Sequence, residues 1–208
     1  MYRSYLKRVL DLILSTVAIV VLSIPMLVIA IIIKIDSPGP AIFKQRRVGV
    51  HKSEFTILKF RSMPVDSPSN LATKDFNEIH RLNKLQRFIR KTSIDELPQL
   101  FNIWLGHMSL IGPRPALFNQ SDLITERDKY GANDVKPGLT GWAQVNGRDE
   151  LDVVEKARYD GEYVKKMNFL FDLKCLLQTV YVVFKSKGIV EGGEDKKIQL
   201  ETEEASRL

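Results

Sequence analysis

From Leu12 to Ile33 the chain runs for 22 residues without a charge, enough for a helix of about 33 Å against a hydrocarbon core of ~30 Å. Two features argue against a simple span. Pro25 interrupts the run two residues after Ser23, where it removes a backbone donor and bends a helix. Both flanks are basic, with Arg3, Lys7 and Arg8 before the run and Lys34, Lys44, Arg46, Arg47 and Lys52 after it, so the positive-inside rule asks for both ends in the cytoplasm. A re-entrant helical hairpin broken near Ser23 and Pro25 meets both demands, with Ser23 bonding carbonyls freed at the bend. The alternative is a kinked bitopic helix. A cleaved leader fits poorly, because Lys34 to Pro40 leads straight into patterned sequence without a small-residue cleavage site.

After this segment the pattern shortens. Ala41 to Gly49 and Glu54 to Met63 flank a turn at Val50-His51-Lys52, which predicts a β-hairpin with Phe55, Ile57, Lys59 and Arg61 on one face of its second strand. Ile79, Leu82, Gln86 and Ile89 recur at helical spacing within 76–90, and a second helix should start near Thr92-Ser93 and stop at Gly106. Further helices are expected over 118–129 and 150–167. Phe169 to Phe184 is apolar but broken by Asp172, Lys174 and Gln178, which suits an interfacial helix, with a buried core helix as the alternative. The expected fold class is therefore α+β. It is mainly helical, with one small hairpin, a re-entrant membrane-anchoring helical hairpin over 1–36, a cytoplasm-facing catalytic domain over 37–188, and a flexible acidic tail over 189–208.

Composition narrows the function. The 208 residues carry 31 basic and 25 acidic side chains, a net charge of +6, and residues 1–61 alone account for +7. The basic end is the membrane end, so anionic headgroups are the natural partner. Nucleic acid is the rival, but no helix-turn-helix, finger or aromatic platform accompanies the charge. A lone Cys175 and three scattered histidines give neither an internal disulfide nor a zinc-ligand spacing. Chemistry is left to carboxylates and arginines.

Arg90-Lys91-Thr92-Ser93-Ile94-Asp95-Glu96-Leu97-Pro98-Gln99-Leu100 is the most informative stretch. Read structurally, Ser93 and Glu96 form a capping box and Asp95 complements a helix dipole. Read chemically, backbone donors and Arg90 keep Asp95 ionised beside a second carboxylate able to hold a divalent cation, and an ionised aspartate attacks phosphorus without a general base. Two turn-rich loops carry arginines, Ile111-Gly112-Pro113-Arg114-Pro115 and Val135 to Arg148. Rigid turns with planar guanidiniums suit bidentate phosphate binding, and solvated surface turns are the plainer alternative.

Lys7-Arg8-Val9-Leu10-Asp11, Ser37-Pro38-Gly39-Pro40, Lys59-Phe60-Arg61-Ser62-Met63, Ser93 to Leu100, Gly112-Pro113-Arg114-Pro115 and Pro137 to Arg148 together closely resemble the bacterial sugar transferases, monotopic phosphoglycosyl transferases that start capsule, exopolysaccharide and glycoconjugate assembly. The resemblance runs from about Lys7 to Gly188 and is to the short form, without extra N-terminal membrane helices. It implies transfer of a sugar phosphate from a UDP-sugar to polyprenyl phosphate, with release of UMP, at the cytoplasmic face of a bacterial inner membrane. It implies Asp95 as the nucleophile and Glu96 as the partner of Mg²⁺. Lys59, Arg61, Arg90, Arg114, Gln144, Asn146 and Arg148 would line the diphosphate and nucleotide site. Nucleic acid drops out as a partner, membrane lipids remain, and homo-oligomerisation is left open. The family's helix usually turns at adjacent serine and proline, whereas Ile24 separates Ser23 from Pro25 here. Two alternatives stay in view: a non-catalytic, membrane-attached polyanion-binding scaffold, and a glycosyltransferase that passes sugar alone and leaves UDP.

Overall fold

A computed structural model describes residues 2–65, 82–147 and 150–185. After an N-terminal turn at Tyr2–Leu6, helix α1 spans Lys7–Asp36. Strands β1 (Ile42–Val48) and β2 (Glu54–Phe60) form the expected antiparallel hairpin, with Gln45 opposite Ile57. There follow α2 (Lys84–Lys91), α3 (Gln99–Trp104), β3 (Ser109–Ile111), α4 (Ser121–Asp128), β4 (Gly138–Thr140), α5 (Trp142–Val145), α6 (Val153–Lys166) and α7 (Phe169–Lys185). The first part of the helix expected over 76–90, and the tail beyond residue 185, lie outside the described residues. Helices α4 and α6 fall inside the predicted windows, and α7 matches Phe169 to Phe184 almost residue for residue.

Helix α1 corrects one expectation and sharpens another. It continues unbroken through Pro25, and the Ser23 hydroxyl donates to Val20 O at 2.8 Å within the helix rather than tying two separate segments. Pro25 removes only one intrahelical hydrogen bond, while Leu22, Met26, Ile29 and Ile33 pack onto Phe60 and Ile89 across the same stretch. Nearer the N-terminus, Ala18, Ile19 and Leu22 pack against Ile57, Leu100, Ile103 and Met108. Both ends are bolted to the same globular unit. Arg8 donates to Ile103 O and Trp104 O at 2.6 and 2.8 Å, and Asp11 accepts from Ser109 Oγ and Leu110 N at 3.1 and 2.9 Å. Lys7 pairs with Asp172. At the far end, the Arg61 guanidinium donates to Pro38 O and Ser37 O, both at 2.7 Å, and to Ile33 O at 3.3 Å. The remaining face of α1, from Val9 through Val17, Ile24 and Leu27 to Ile35, is exposed and apolar. By length and composition this helix could cross a membrane. Residues near both of its ends contact the same body.

A second sheet escaped prediction. Strands β3 and β4 pair in parallel, Ser109 with Gly138 and Ile111 with Thr140. Each is three residues long, too short to show a period-two pattern. Tight backbone approach makes the pairing work: a Cβ on Gly138 would lie 2.1 Å from Gly112 N, and one on Gly141 would lie 2.0 Å from Gly112 O. Glycine is required there by the neighbouring main chain. The two loops that sequence reading singled out are thus pressed together, with Gly112 N donating to Thr140 O and Gly138 N to Pro113 O.

Candidate active site

Asp95 and Glu96 lie on a single 3₁₀ turn, Ile94–Glu96, between α2 and α3. Proline dictates this local form. Pro98 has no N–H to bond back to Ile94, so the turn closes by i→i+3 bonds, Glu96 N to Ser93 O at 3.1 Å and Leu97 N to Ile94 O at 3.2 Å. The continuous helix expected from Thr92-Ser93 to Gly106 is therefore split, and α3 begins only after Pro98. The capping box expected between Ser93 and Glu96 does not form. Ser93 takes a left-handed conformation, φ +56°, with no side-chain cap bond, and Glu96 is claimed from elsewhere.

Its claimants are the cations. Lys59, near the end of β2, reaches Glu96 Oε1 at 2.8 Å and approaches Asp95 Oδ2 at 3.9 Å. Arg114, from the loop after β3, reaches the same Glu96 oxygen at 2.8 Å. One lysine therefore bridges two adjacent carboxylates, which lessens their mutual repulsion. Burial pushes the Glu96 carboxyl up, but Arg114 and Lys59 outweigh it and hold the group well below the usual carboxylate range. For Asp95 the balance is reversed. Burial first, and the Glu96 charge besides, push it up to about 6, against the opposing pull of Lys59, Arg90 and Arg114. The backbone donors expected around Asp95 are absent among the described residues, so its ionisation rests on these cations. At neutral pH both carboxylates are ionised. Asp95 is the more basic of the two, and greater basicity goes with stronger nucleophilicity.

The predicted site residues divide into groups. Lys59, Asp95, Glu96 and Arg114 converge, and Arg90 acts electrostatically on Asp95. Arg61 diverges: Lys59 faces the carboxylates, while Arg61 is buried against the carbonyls that end α1. Gln144 sits buried on α5, with neither amide oxygen nor nitrogen bonded among the described residues. The Asn146 amide donates to Trp142 O at 2.7 Å, closing that short helix. Arg148 lies outside the described residues. Ser23 and Pro25 lie mid-helix in α1.

Sequence reading missed the scaffold behind Arg114. Arg127 on α4 donates through Nε and Nη2 to Asp160 Oδ2 on α6, at 2.8 and 2.6 Å, and through Nη2 to the Arg114 carbonyl at 3.0 Å. Both members of this pair are almost completely buried. A signal was present: Arg127 shares the apolar face of Leu123, and Asp160 falls among Ala157, Gly161 and Tyr163, where a solvated charge has no business. A second support runs through Tyr163, whose hydroxyl lies 2.8 Å from Asp172 Oδ1 and 3.0 Å from Ile111 O, at the root of the same loop.

Asp95 and Glu96 offer hard oxygen donors of the kind Mg²⁺ takes, usually one or two carboxylates completed by phosphate oxygens and water. No group of three acidic, histidine or cysteine side chains gathers among the described residues, and this kind of site does not need one. The donor set fits.

Comparison with known proteins places the chain in a family. The family model described as bacterial sugar transferase matches residues 2–186. An uncharacterized sugar transferase, EpsL, of Bacillus subtilis (strain 168) is 42% identical over 186 residues, covering 88% of this chain and 90% of that one. The UDP-glucose:undecaprenyl-phosphate glucose-1-phosphate transferase of Escherichia coli (strain K12) is 38% identical over 189 residues, 88% of this chain but only 41% of its own length. The undecaprenyl-phosphate galactose phosphotransferase of Salmonella typhimurium is 36% identical over 199 residues, with similar coverage. The chain thus spans about two-fifths of these two longer relatives and nearly all of the Bacillus protein. With a family match that takes in α1, the Asp95-Glu96 turn and both glycine-bearing loops, this chain belongs to the bacterial sugar transferase family.

Proposed function

We propose that the chain moves sugar 1-phosphate from a UDP-sugar to a polyprenyl phosphate such as undecaprenyl phosphate, through a covalent aspartyl intermediate, and releases UMP. The observation that carries this reading is the Asp95–Glu96 turn, whose two carboxylates Lys59 bridges and whose Glu96 also pairs with Arg114, in a chain whose relatives are named for sugar-phosphate transfer to undecaprenyl phosphate. An Asp95 oxygen attacks the phosphorus that bears the sugar, and the bond from that phosphorus to the bridging oxygen breaks, so that UMP departs with the electron pair. An oxygen of polyprenyl phosphate then attacks the same phosphorus, forming the polyprenyl diphosphate sugar and returning the carboxylate. One diphosphate linkage replaces another, so no ATP is required.

Lys59, Arg90 and Arg114 would balance the donor's negative charge, and such placement accounts for most of the catalysis in phosphoryl transfer. Glu96 keeps Lys59 and Arg114 in position before the donor arrives. With Asp95, it is the residue that would hold Mg²⁺, which when bound supplies further charge neutralisation at the departing phosphate. Arg61 reads as the clasp of the α1 C-terminus rather than a phosphate ligand. Gln144, Asn146 and Arg148 remain assigned to the nucleotide side.

The exposed apolar faces of α1 and of α7, where Leu170, Leu173, Leu177 and Val180 are exposed, support a monotopic placement in the cytoplasmic leaflet of a bacterial inner membrane. At that height a lipid-borne phosphate can reach Asp95 without leaving the headgroup layer.

Incubation with UDP-sugars, Mg²⁺ and polyprenyl phosphate should yield UMP. Release of UDP would indicate transfer of the sugar alone, and absence of any nucleotide product would favour the polyanion-binding scaffold. Glu96→Gln should raise the Mg²⁺ concentration needed for half-maximal rate about tenfold, by analogy with other lost ligands of a metal site; an unmoved Mg²⁺ titration would remove Glu96 from that role.

A further inference from the structure

Gly106 closes the C-terminal turn of α3 in a left-handed conformation, φ +87°, and leaves a notch where a side chain would otherwise be. A Cβ at that position would lie 3.2 Å from Arg8 Nη2 and 3.6 Å from Lys136 Nζ. Two cations, one from α1 and one from the loop before β4, thus converge on a single small space. Neither forms an ion pair among the described residues. Arg8 is held by the carbonyls of Ile103 and Trp104, which carry no net charge. The Lys136 ammonium makes no hydrogen bond or ion pair among the described residues. Asp11 is the carboxylate that acts on it, one turn along α1 from Arg8, and its oxygen already accepts from Ser109 and Leu110. Burial, and then Arg8, lower the Lys136 pKa, as expected of two like charges facing each other without an anion between them.

The surroundings narrow the choice of anion. Trp104 and Leu105 on one side and Val9 and Leu12 on the other are exposed, so the notch opens at the edge of an apolar surface, beside a tryptophan of the kind enriched at headgroup level. The notch is also separate from the catalytic turn, for Arg8 clasps the C-terminal end of α3 and Asp95 precedes its N-terminal end.

We propose that Arg8 and Lys136 bind the phosphate of an anionic membrane lipid in the notch over Gly106. The phosphate bridges the two cations and fixes the height at which α3 meets the bilayer. This site rests on the monotopic membrane placement above.

The test is amine-reactive footprinting of the full-length chain, read residue by residue by mass spectrometry, on vesicles of phosphatidylcholine alone or mixed with phosphatidylglycerol. Lys136 should be protected by the mixed vesicles and not by phosphatidylcholine, while Lys52, paired with Asp128, reacts equally in both. Lys136→Gln should lower the preference for the mixed vesicles about fivefold, as for one cation lost at an anionic surface, and Lys136→Arg should retain it. Equal labelling of Lys136 on both vesicles to which the chain binds would overturn the lipid site. Protection by inorganic phosphate alone would overturn the lipid as its source. If the chain binds neither vesicle, the membrane placement itself fails.

Discussion

Replacing Asp95 by asparagine should abolish sugar-phosphate transfer, with a loss of at least about 10³-fold, the scale seen when a covalent nucleophile is removed. The physical reason is specific to the proposed route. Asparagine keeps the size of the side chain and its place on the 3₁₀ turn, but its neutral amide has no anionic oxygen to offer phosphorus. Intact-mass measurement after adding donor without lipid should show wild-type chain heavier by one sugar phosphate and Asp95→Asn unchanged. Full activity in the variant, or nucleotide release only when both substrates are present, would remove the covalent intermediate. The acid limb of the pH profile carries the same assignment. Asp95 must be ionised to attack, and burial pushes it up to about 6. The rate of adduct formation should therefore be level above pH 7 and fall roughly tenfold per pH unit well below 6. An ordinary surface aspartate would hold its rate down to about pH 4, so a profile flat to that point would contradict the buried, cation-supported carboxylate described above.

The second large effect lies away from the chemistry. Arg127→Ala should destabilise the fold by about 3–5 kcal/mol, because it strands the Asp160 carboxylate in a buried site. For a domain of this size that is a fall in melting temperature of roughly 10 °C. Stability alone would not show that the pair serves the active site, so a second variant separates the roles. Replacing both residues by apolar ones of similar volume, Arg127→Met with Asp160→Leu, should recover much of the stability, as buried ion pairs often tolerate. It cannot restore the bond from Arg127 Nη2 to the Arg114 carbonyl. The double variant should therefore fold well yet show a raised KM for the donor, as expected when Arg114 is no longer held against Glu96. Wild-type kinetics in the refolded double variant would reduce the pair to a packing feature.

These two sites show how unevenly the molecule can be read from its residues. Asp95 was visible in the sequence as one of two adjacent carboxylates beside Arg90 and ahead of Pro98, but the local pattern alone reads equally as a helix start, and it is the family resemblance that singles out the carboxylate. Arg127 and Asp160 stand 33 residues apart, and although each lies on the apolar side of its own helix, neither position names the other. Only the meeting of α4 and α6 makes them a pair. The Ser93–Glu96 capping box failed for a related reason: its local signal was sound, but Lys59 and Arg114 arrive from distant elements and outbid the backbone for Glu96.

The hairpin was legible because its strands are long enough to alternate and are joined by a short turn, and α4, α6 and α7 because helical periodicity is a local property. The parallel pairing of β3 with β4 was not, since it depends on glycines whose importance is the backbone lying across from them.

By itself the sequence determined the apolar character of the first long helix, the helical elements of the body and the carboxylates and cations on offer. Each of these follows from composition and spacing within a few neighbouring residues. Tertiary structure alone decided which cation serves what. It sent Lys59 to the carboxylates and Arg61 to the end of α1, and it tied both ends of α1 to one body. Those outcomes depend on contacts between residues far apart in the chain, and no local pattern encodes them.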